Sequence, residues 1–438
     1  MPTESAPLLP RPSSPPPPPS TSIKVLILLA FCCHNAFNCW FFLNFTNFGP
    51  AEDLLDLTDT QVGNITTCGW IGILLALPLV TITTYHRSLL IFAGFLNTLP
   101  AFLRYYASSN VTPQSYPIIC LSNFLVGSCF GIIGAWPAML SLMWDEDFRP
   151  FITAVASLSN YTGGALAVVI IPVIAKDGEG LLKLFRLQAL FAIFLFLIMP
   201  LWSYIPPLQE EGGLELKVAV KVSFKKWRRL AFSGVIIGLT LLLQGMNQFI
   251  LSEFGFTDTQ AGSSNCIYQA TSAIIGIFVS TRITDSRGIK STLRLMIGLG
   301  SIGYVLFASF AVYLNSKSDY EVAHSDFDFT VVNVLMAVLG SSLMGALPLL
   351  LLECIFEVNE EQEFKVGENV VSGLVYIEAM AIAAGGTYIT TEGSGIVNVI
   401  IVGGLLAVGS LGTFWLDRVE EREKVRGKER SGAASCKK

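Results

Sequence analysis

Long runs of apolar residues, nearly free of charge, follow one another along most of this chain. The run Phe329–Val358 is typical: its only charged residues are Glu353 and Glu357. About twenty apolar residues in a helix match the roughly 30 Å hydrocarbon core of a bilayer. Lipid offers no hydrogen bonds, so a crossing backbone must satisfy itself, and a helix does so. Spans are read at Ile23–Phe48, Gln61–Thr84, Ser88–Ala107, Tyr116–Trp144, Phe151–Ala175 and Phe185–Ile205. After a polar stretch they resume at Leu230–Phe254, Ser263–Thr284, Thr292–Leu314, Phe329–Val358, Val370–Thr390 and Ser394–Leu416. The expectation is an all-α membrane protein of twelve transmembrane helices.

Composition agrees. Of 438 residues, 52% are hydrophobic and 14% charged, against roughly 25% charged in soluble domains. The net charge of −5 speaks against a nucleic-acid partner. The nine cysteines show no paired spacing, and three histidines (His34, His86, His324) are too scattered for a metal cluster. Nothing calls for a cofactor. Residues 1–22 are rich in Pro and Ser, with Pro15 to Pro19 consecutive. They lack the apolar core of a signal peptide and read as a disordered arm.

Lys and Arg placement orients the spans. With both termini in the cytoplasm, inner segments hold Arg87, Arg149, Lys217, Lys221, Lys225, Lys226, Arg228, Arg229, Arg287, Lys290 and Lys365, besides a basic tail. Outer loops hold Lys176, Lys183 and Lys317, an asymmetry in the positive-inside sense. The glycosylation sequon at Asn110 falls in an outer loop and that at Asn64 at a span edge; those at Asn44 and Asn160 fall inside spans and read as chance matches. The layout is an arm (1–22), a six-helix half (23–205), a basic linker (206–229), a second six-helix half (230–416) and a charged tail (417–438). That is the plan of the major facilitator fold, with a site between the halves near the midplane. No internal repeat is read between the two sets.

Short motifs carry a closer resemblance. They are Asn35-Ala36-Phe37-Asn38-Cys39-Trp40 in the first span, Leu96-Asn97 with Leu103-Arg104 in the third, and Trp136-Pro137 with Trp144 in the fourth. The fifth has Ser159-Asn160-Tyr161-Thr162-Gly163 with Pro172, and the tenth Leu347-Pro348-Leu349 with Glu353 and Glu357. Glu368 and Ser372-Gly373-Leu374 follow. From Asn35 onward the chain resembles the feline leukaemia virus subgroup C receptor family. That implies transport of choline or ethanolamine, or export of haem. It departs from the family at Tyr161, Met139 and Met380, where the family has glutamine, a basic residue and glutamine.

Polar groups inside spans are costly and point to function or to helix pairing. Asn35 and Asn38 share a face of the first span, with Trp40 and Asn44 beside them. The resemblance places ligand contacts there. An indole attracts a quaternary ammonium through its π face, so Trp40, Tyr161 and Tyr376 form a candidate cage, with Asn160 and Gln244 as further contacts; each could equally be packing. Asn247 and Gln248 lie near Gln244 in the seventh span. Glu353 and Glu357 stand one turn apart and suggest a gate, and Glu378 a cation or proton site. Arg104, near its span's outer end beside Tyr105 and Tyr106, is expected to snorkel outward.

Three readings stay open: an alternating-access transporter of a small organic solute such as choline, a proton-coupled transporter of another solute, and a non-transporting sensor. An enzyme is not expected, because no catalytic constellation stands at a membrane face. The expected partners are a small-molecule substrate and membrane lipid, with sorting adaptors through Glu4, Leu8 and Leu9. The membrane is the plasma membrane or a lysosomal or vacuolar one.

Two predictions follow from the sequence. On a cysteine-depleted background, membrane-impermeant labelling should find single cysteines in 315–328 accessible from outside and those in 217–229 protected; equal labelling of both would reject the topology. Leu8→Ala with Leu9→Ala should move a fluorescent fusion from an internal compartment to the cell surface. An unchanged distribution would dismiss the sorting signal.

Overall fold

The computed structural model describes residues 19–45, 49–82, 86–205, 227–283, 286–318, 325–359, 371, 374–377, 379 and 381–382. The first half comprises α1 (Thr21–Phe42), α2 (Gly49–Leu55), α3 (Asp59–Ile82), α4 (His86–Ser109), α5 (Ser115–Gly134), α6 (Pro137–Ser141), α7 (Arg149–Ile174) and α8 (Gly178–Ile198). The second comprises α9 (Trp227–Glu253), α10 (Asp258–Ser280), α11 (Ser286–Ser318), α12 (Asp326–Leu339) and α13 (Leu347–Asn359). The fold is all-α. Among the described residues eight helical segments are long and apolar enough to cross a membrane. The arm before residue 19, most of the linker, the twelfth expected span and the tail lie outside the described residues, as does most of the eleventh span.

Helix α10 is long enough to span but is not among those eight. Its Ser264, Asn265, Gln269 and Ser272 lower its hydropathy, and all four are buried inside the protein. Helix α7 packs along it and joins the two halves. Apolar side chains such as Leu75, Val173, Leu197 and Leu295 remain on the outside, where hydrocarbon is the natural solvent.

Two expected spans are broken. The fourth divides at Ala135–Trp136 between α5 and α6, and the tenth passes through a π-helical turn, Gly340–Met344, before α13. Each resumes at a proline, Pro137 and Pro348. Proline suits the first turn of a helix, where its missing donor is not needed, although Pro78, Pro100 and Pro172 stand inside other helices here.

These breaks expose an internal repeat after all. Gly134-Ala135-Trp136-Pro137 matches Gly345-Ala346-Leu347-Pro348. Thr58-Asp59-Thr60-Gln61-Val62-Gly63 opens α3, and Thr257-Asp258-Thr259-Gln260-Ala261-Gly262 opens α10. Both openings fold alike. The Thr58 amide donates to Gln61 Oε1 (2.9 Å) and the Gln61 amide to Thr58 Oγ1 (3.4 Å). The pair at Thr257 and Gln260 does the same at 3.1 and 3.3 Å. This is the reciprocal capping box, which satisfies two helix-end donors.

Arg104 does not snorkel. It is 1% exposed, inside the first half. Its Nε donates to Ser122 Oγ (2.7 Å), one Nη to Asn123 Oδ1 (2.6 Å) and the other to the Phe41 carbonyl at the end of α1. Turned with its oxygen toward the guanidinium, Asn44 supplies a further acceptor 2.7 Å away. The Phe45 ring lies 5.3 Å from the charge. Neutral acceptors and a ring face hold this cation, with no carboxylate at ion-pair distance among the described residues. It fastens the end of α1 to α4 and α5. Asn44 is itself buried and, so turned, accepts from Gln188 Nε2 at 3.0 Å, and Asn160 is buried as well, whereas Asn110 is exposed. Burial of the two intraspan sequons agrees with their reading as chance matches.

Glycines set how closely helices approach. A β-carbon on Gly127 would overlap the Gly69 carbonyl, so α3 and α5 touch through their backbones. Nothing lies within 4 Å of the same position on Gly134. Gly127→Ala should therefore lower the thermal midpoint of the purified protein, by a cost of about 1–3 kcal/mol, while Gly134→Ala leaves it unchanged. Equal midpoints for the two variants would show that the close crossing carries no weight.

Candidate functional site

Two adjoining cavities lie where the halves meet. The larger, with about 340 Å³ of empty space, is lined by Cys39, Phe42 and Leu43 near the end of α1, Trp70 and Ile73 of α3, Phe130 of α5, Asn160 of α7, and Leu241 and Gln244 of α9. The second, about 280 Å³, shares Phe130, Asn160 and Leu241 and adds Asn35, Gly134, Pro137, Ser157, Tyr161 and Tyr376. The walls are apolar and aromatic with a few polar side chains, the usual make-up of a small-molecule site.

Of the residues expected from the sequence, Asn35, Asn160, Tyr161, Gln244 and Tyr376 line these cavities. Two do not. Asn38 donates to Asn97 Oδ1 and to the Val126 carbonyl, both at 3.0 Å, and so joins α1 to α4 and α5. Trp40 packs against Phe37 and Phe191, with ring centroids 5.4 and 5.7 Å away, inside an apolar cluster. The reason is helical phase: α1 turns Asn35, Cys39 and Phe42 toward the cavities and Trp40 toward α8. The indole at the larger cavity belongs to Trp70 instead. Glu353 is buried on α13 but lines neither cavity. The side chains of Asn247, Gln248, Glu357 and Glu378 lie outside those described.

The polar side chains form two connected sets. Asn35 Nδ2 donates to the Ala156 carbonyl (2.8 Å) and Ser159 Oγ (3.1 Å). Asn160 Nδ2 donates back to the Asn35 carbonyl and Oδ1, both at 3.2 Å. On the other side Gln244 Nε2 donates to Gln269 Oε1 (3.1 Å) and to Cys39 Sγ (3.5 Å). Gln269 Nε2 donates to Asn265 Oδ1 (3.3 Å), and Asn265 Nδ2 to the Gln244 carbonyl (3.4 Å). Gln269 reaches across to α7 because residue 164 is glycine: a β-carbon there would overlap Gln269 Oε1. Sequence reading missed Trp70, Phe130, Gln269 and Asn265. The repeated Thr-Asp-Thr-Gln-x-Gly opening was the available signal, since Trp70 and Gln269 each stand twelve residues after its first threonine.

A bundle of membrane-length helices in two halves, with a small cavity between them, is the plan of a carrier of small solutes. Comparison with known proteins gives the family. The model for the Major Facilitator Superfamily matches residues 26–364, and the chain belongs to that superfamily. The 2-nitroimidazole transporter of Escherichia coli (strain K12) is 24% identical over 297 residues, covering 62% of this chain and 70% of its own. The crystal structure of the superfamily transporter FucP, in the outward conformation, superposes with a TM-score of 0.61 at 14% identity. The match covers 90% of this chain and 99% of that one, and at that identity it speaks to the fold alone. The protein is an integral multi-pass membrane transporter of a small solute, not an enzyme.

Proposed function

We propose that the chain carries a small organic solute by alternating access, binding it in the cavities between the halves. The observation behind this reading is that both halves line the larger cavity, Asn160 and Trp70 from one and Gln244 from the other. Rocking one half against the other changes which side such a site opens to.

Among solutes, an organic cation such as choline or a relative of it is the class implied by the resemblance of the motifs from Asn35 onward. Phe42, Trp70 and Phe130 at the larger cavity, and Tyr161 and Tyr376 at the second, supply the π faces a cation needs. The bacterial relative, named for a nitroimidazole, favours a second class: a flat heteroaromatic that the same rings would sandwich. Asn38 and Trp40, which sequence alone places in the site, would act by holding α1. Glu353, Glu357 and Glu378 remain gating or coupling candidates. Proton coupling, a sensor role, the choice of membrane and adaptor binding through Glu4, Leu8 and Leu9 rest on sequence alone.

Uptake of a panel of labelled organic cations and heteroaromatics into proteoliposomes tests the reading. Trp70→Leu should reduce uptake of the transported solute by about tenfold, the equivalent of one lost cation–π or stacking contact of about 1.4 kcal/mol. Trp40→Leu, at equal protein abundance, should change it less than threefold. A larger effect at Trp40 would move the site. Binding of a solute that is never accumulated, with or without a proton gradient, would favour a sensor.

A further inference from the structure

Two carboxamides, Asn160 and Gln244, line the larger cavity. Exchanging the oxygen and nitrogen of a carboxamide usually leaves its shape ambiguous, so its hydrogen-bond partners must decide the assignment. Here backbone carbonyls decide both, because a carbonyl can only accept.

On the α1–α7 side, Asn160 Nδ2 faces the Asn35 carbonyl at 3.2 Å, so the nitrogen must be on that side. Its second contact, Asn35 Oδ1, is fixed as an acceptor in turn, because Asn35 Nδ2 donates to the Ala156 carbonyl. On the α9–α10 side three amides fix one another. Asn265 Nδ2 faces the Gln244 carbonyl, which makes Asn265 Oδ1 the acceptor for Gln269 Nε2. Gln269 must then present Oε1, and Gln244 must answer with Nε2. Both cavity amides therefore spend their N–H groups on the protein. Asn160 Oδ1 is buried and accepts nothing among the described residues. Gln244 Oε1 receives no hydrogen bond from them either, although it is not among the fully buried atoms without a partner. Asn160 is 4% exposed and Gln244 6%, and a buried acceptor left unmade costs about 1–3 kcal/mol. Beside them stands Trp70, 5% exposed, whose Nε1–H has no acceptor among the described residues.

We infer that the larger cavity selects a solute that donates hydrogens, one carrying N–H or O–H groups on a flat or apolar body. This rests on reading the cavity as the solute site. Two carbonyl oxygens from opposite halves would receive those hydrogens while Phe42, Trp70 and Phe130 cover the body. A carboxylate would find one donor, Trp70 Nε1–H, against two acceptors and bind poorly. A quaternary ammonium without a hydroxyl would meet the rings but leave both oxygens unpaired. Protonated amines and neutral amides share the required donor chemistry.

Four probes on one ring separate these cases: benzylamine, benzamide, benzyltrimethylammonium and benzoate, each titrated by calorimetry into the purified full chain in detergent. At least one of the two N–H donors should bind at least about tenfold more tightly than benzyltrimethylammonium and benzoate. Benzylamine alone would identify a protonated amine, whereas both donors would show that the N–H groups suffice without charge. Gln244→Met should weaken the donors about tenfold and leave benzyltrimethylammonium unchanged. The inference is overturned if benzyltrimethylammonium binds as tightly as benzylamine, if benzoate binds best, if no probe binds, or if Gln244→Met weakens every probe alike. Donors that bind but are never carried into vesicles would instead count against the transport reading and leave the site chemistry standing.

Discussion

Close approach of helix backbones is the constraint on which this structure rests. Within a bilayer the hydrophobic effect does not draw one helix to another, because lipid tails are as apolar as the side chains. Association has to come from packing and interhelical hydrogen bonds. The chain meets this with residues lacking a β-carbon at the crossings: Gly127 against Gly69, Gly163 against Ala36, Gly340 against Tyr268. Each such contact shortens the reach between helices. Only at those separations do short amides such as Asn35, Asn38 and Asn160 span from one helix to the next backbone.

Those amides replace charge as the adhesive of the interior. An ion pair taken into a low-dielectric region must recover a large desolvation cost, whereas a carboxamide loses less and gains one or two hydrogen bonds. Arg104 is a charged member of this interior. Its charge is spread over the guanidinium and met by Ser122, Asn123 and the Phe41 carbonyl. That carbonyl belongs to the end of α1, where the last carbonyls lack intrahelical partners and a cation is favourably placed. A buried cation thus closes the helix that brings Cys39, Phe42 and Leu43 to the cavity.

Much of this was legible in the sequence, and the misses have physical reasons. The spans were readable because a bilayer imposes length and apolarity on any helix that crosses it. Helix α10 reads less apolar than its neighbours because its polar residues face protein rather than lipid. The breaks at Pro137 and Pro348 disappear in a hydropathy profile, which averages over the turn where backbone donors are lost. Asn35, Asn160, Tyr161, Gln244 and Tyr376 were found as polar or aromatic residues in an apolar setting. Trp40 was a candidate through the family resemblance, and its ring packs against Phe37 and Phe191 rather than lining a cavity. Arg104 was read as snorkelling because sequence shows nearness to a span end but not the acceptors on other helices.

The repeat explains why the site has two unlike walls. A scaffold that alternates between two openings benefits from halves of similar shape, because each opening then costs a comparable free energy. The openings of α3 and α10 keep that likeness down to the capping box. A small organic solute has no such symmetry, so on the proposed reading equivalent positions need not stay alike around the cavity. Twelve residues beyond each repeated threonine, one half has Trp70 and the other Gln269. Trp70 gives the cavity an aromatic face with one donor, and Gln269 fixes Gln244 so that its oxygen remains unspent. Glycine at 164 leaves room for that bridge between α10 and α7. Likeness is therefore retained in the caps and breaks that shape the helices, and lost at the side chains around the cavity.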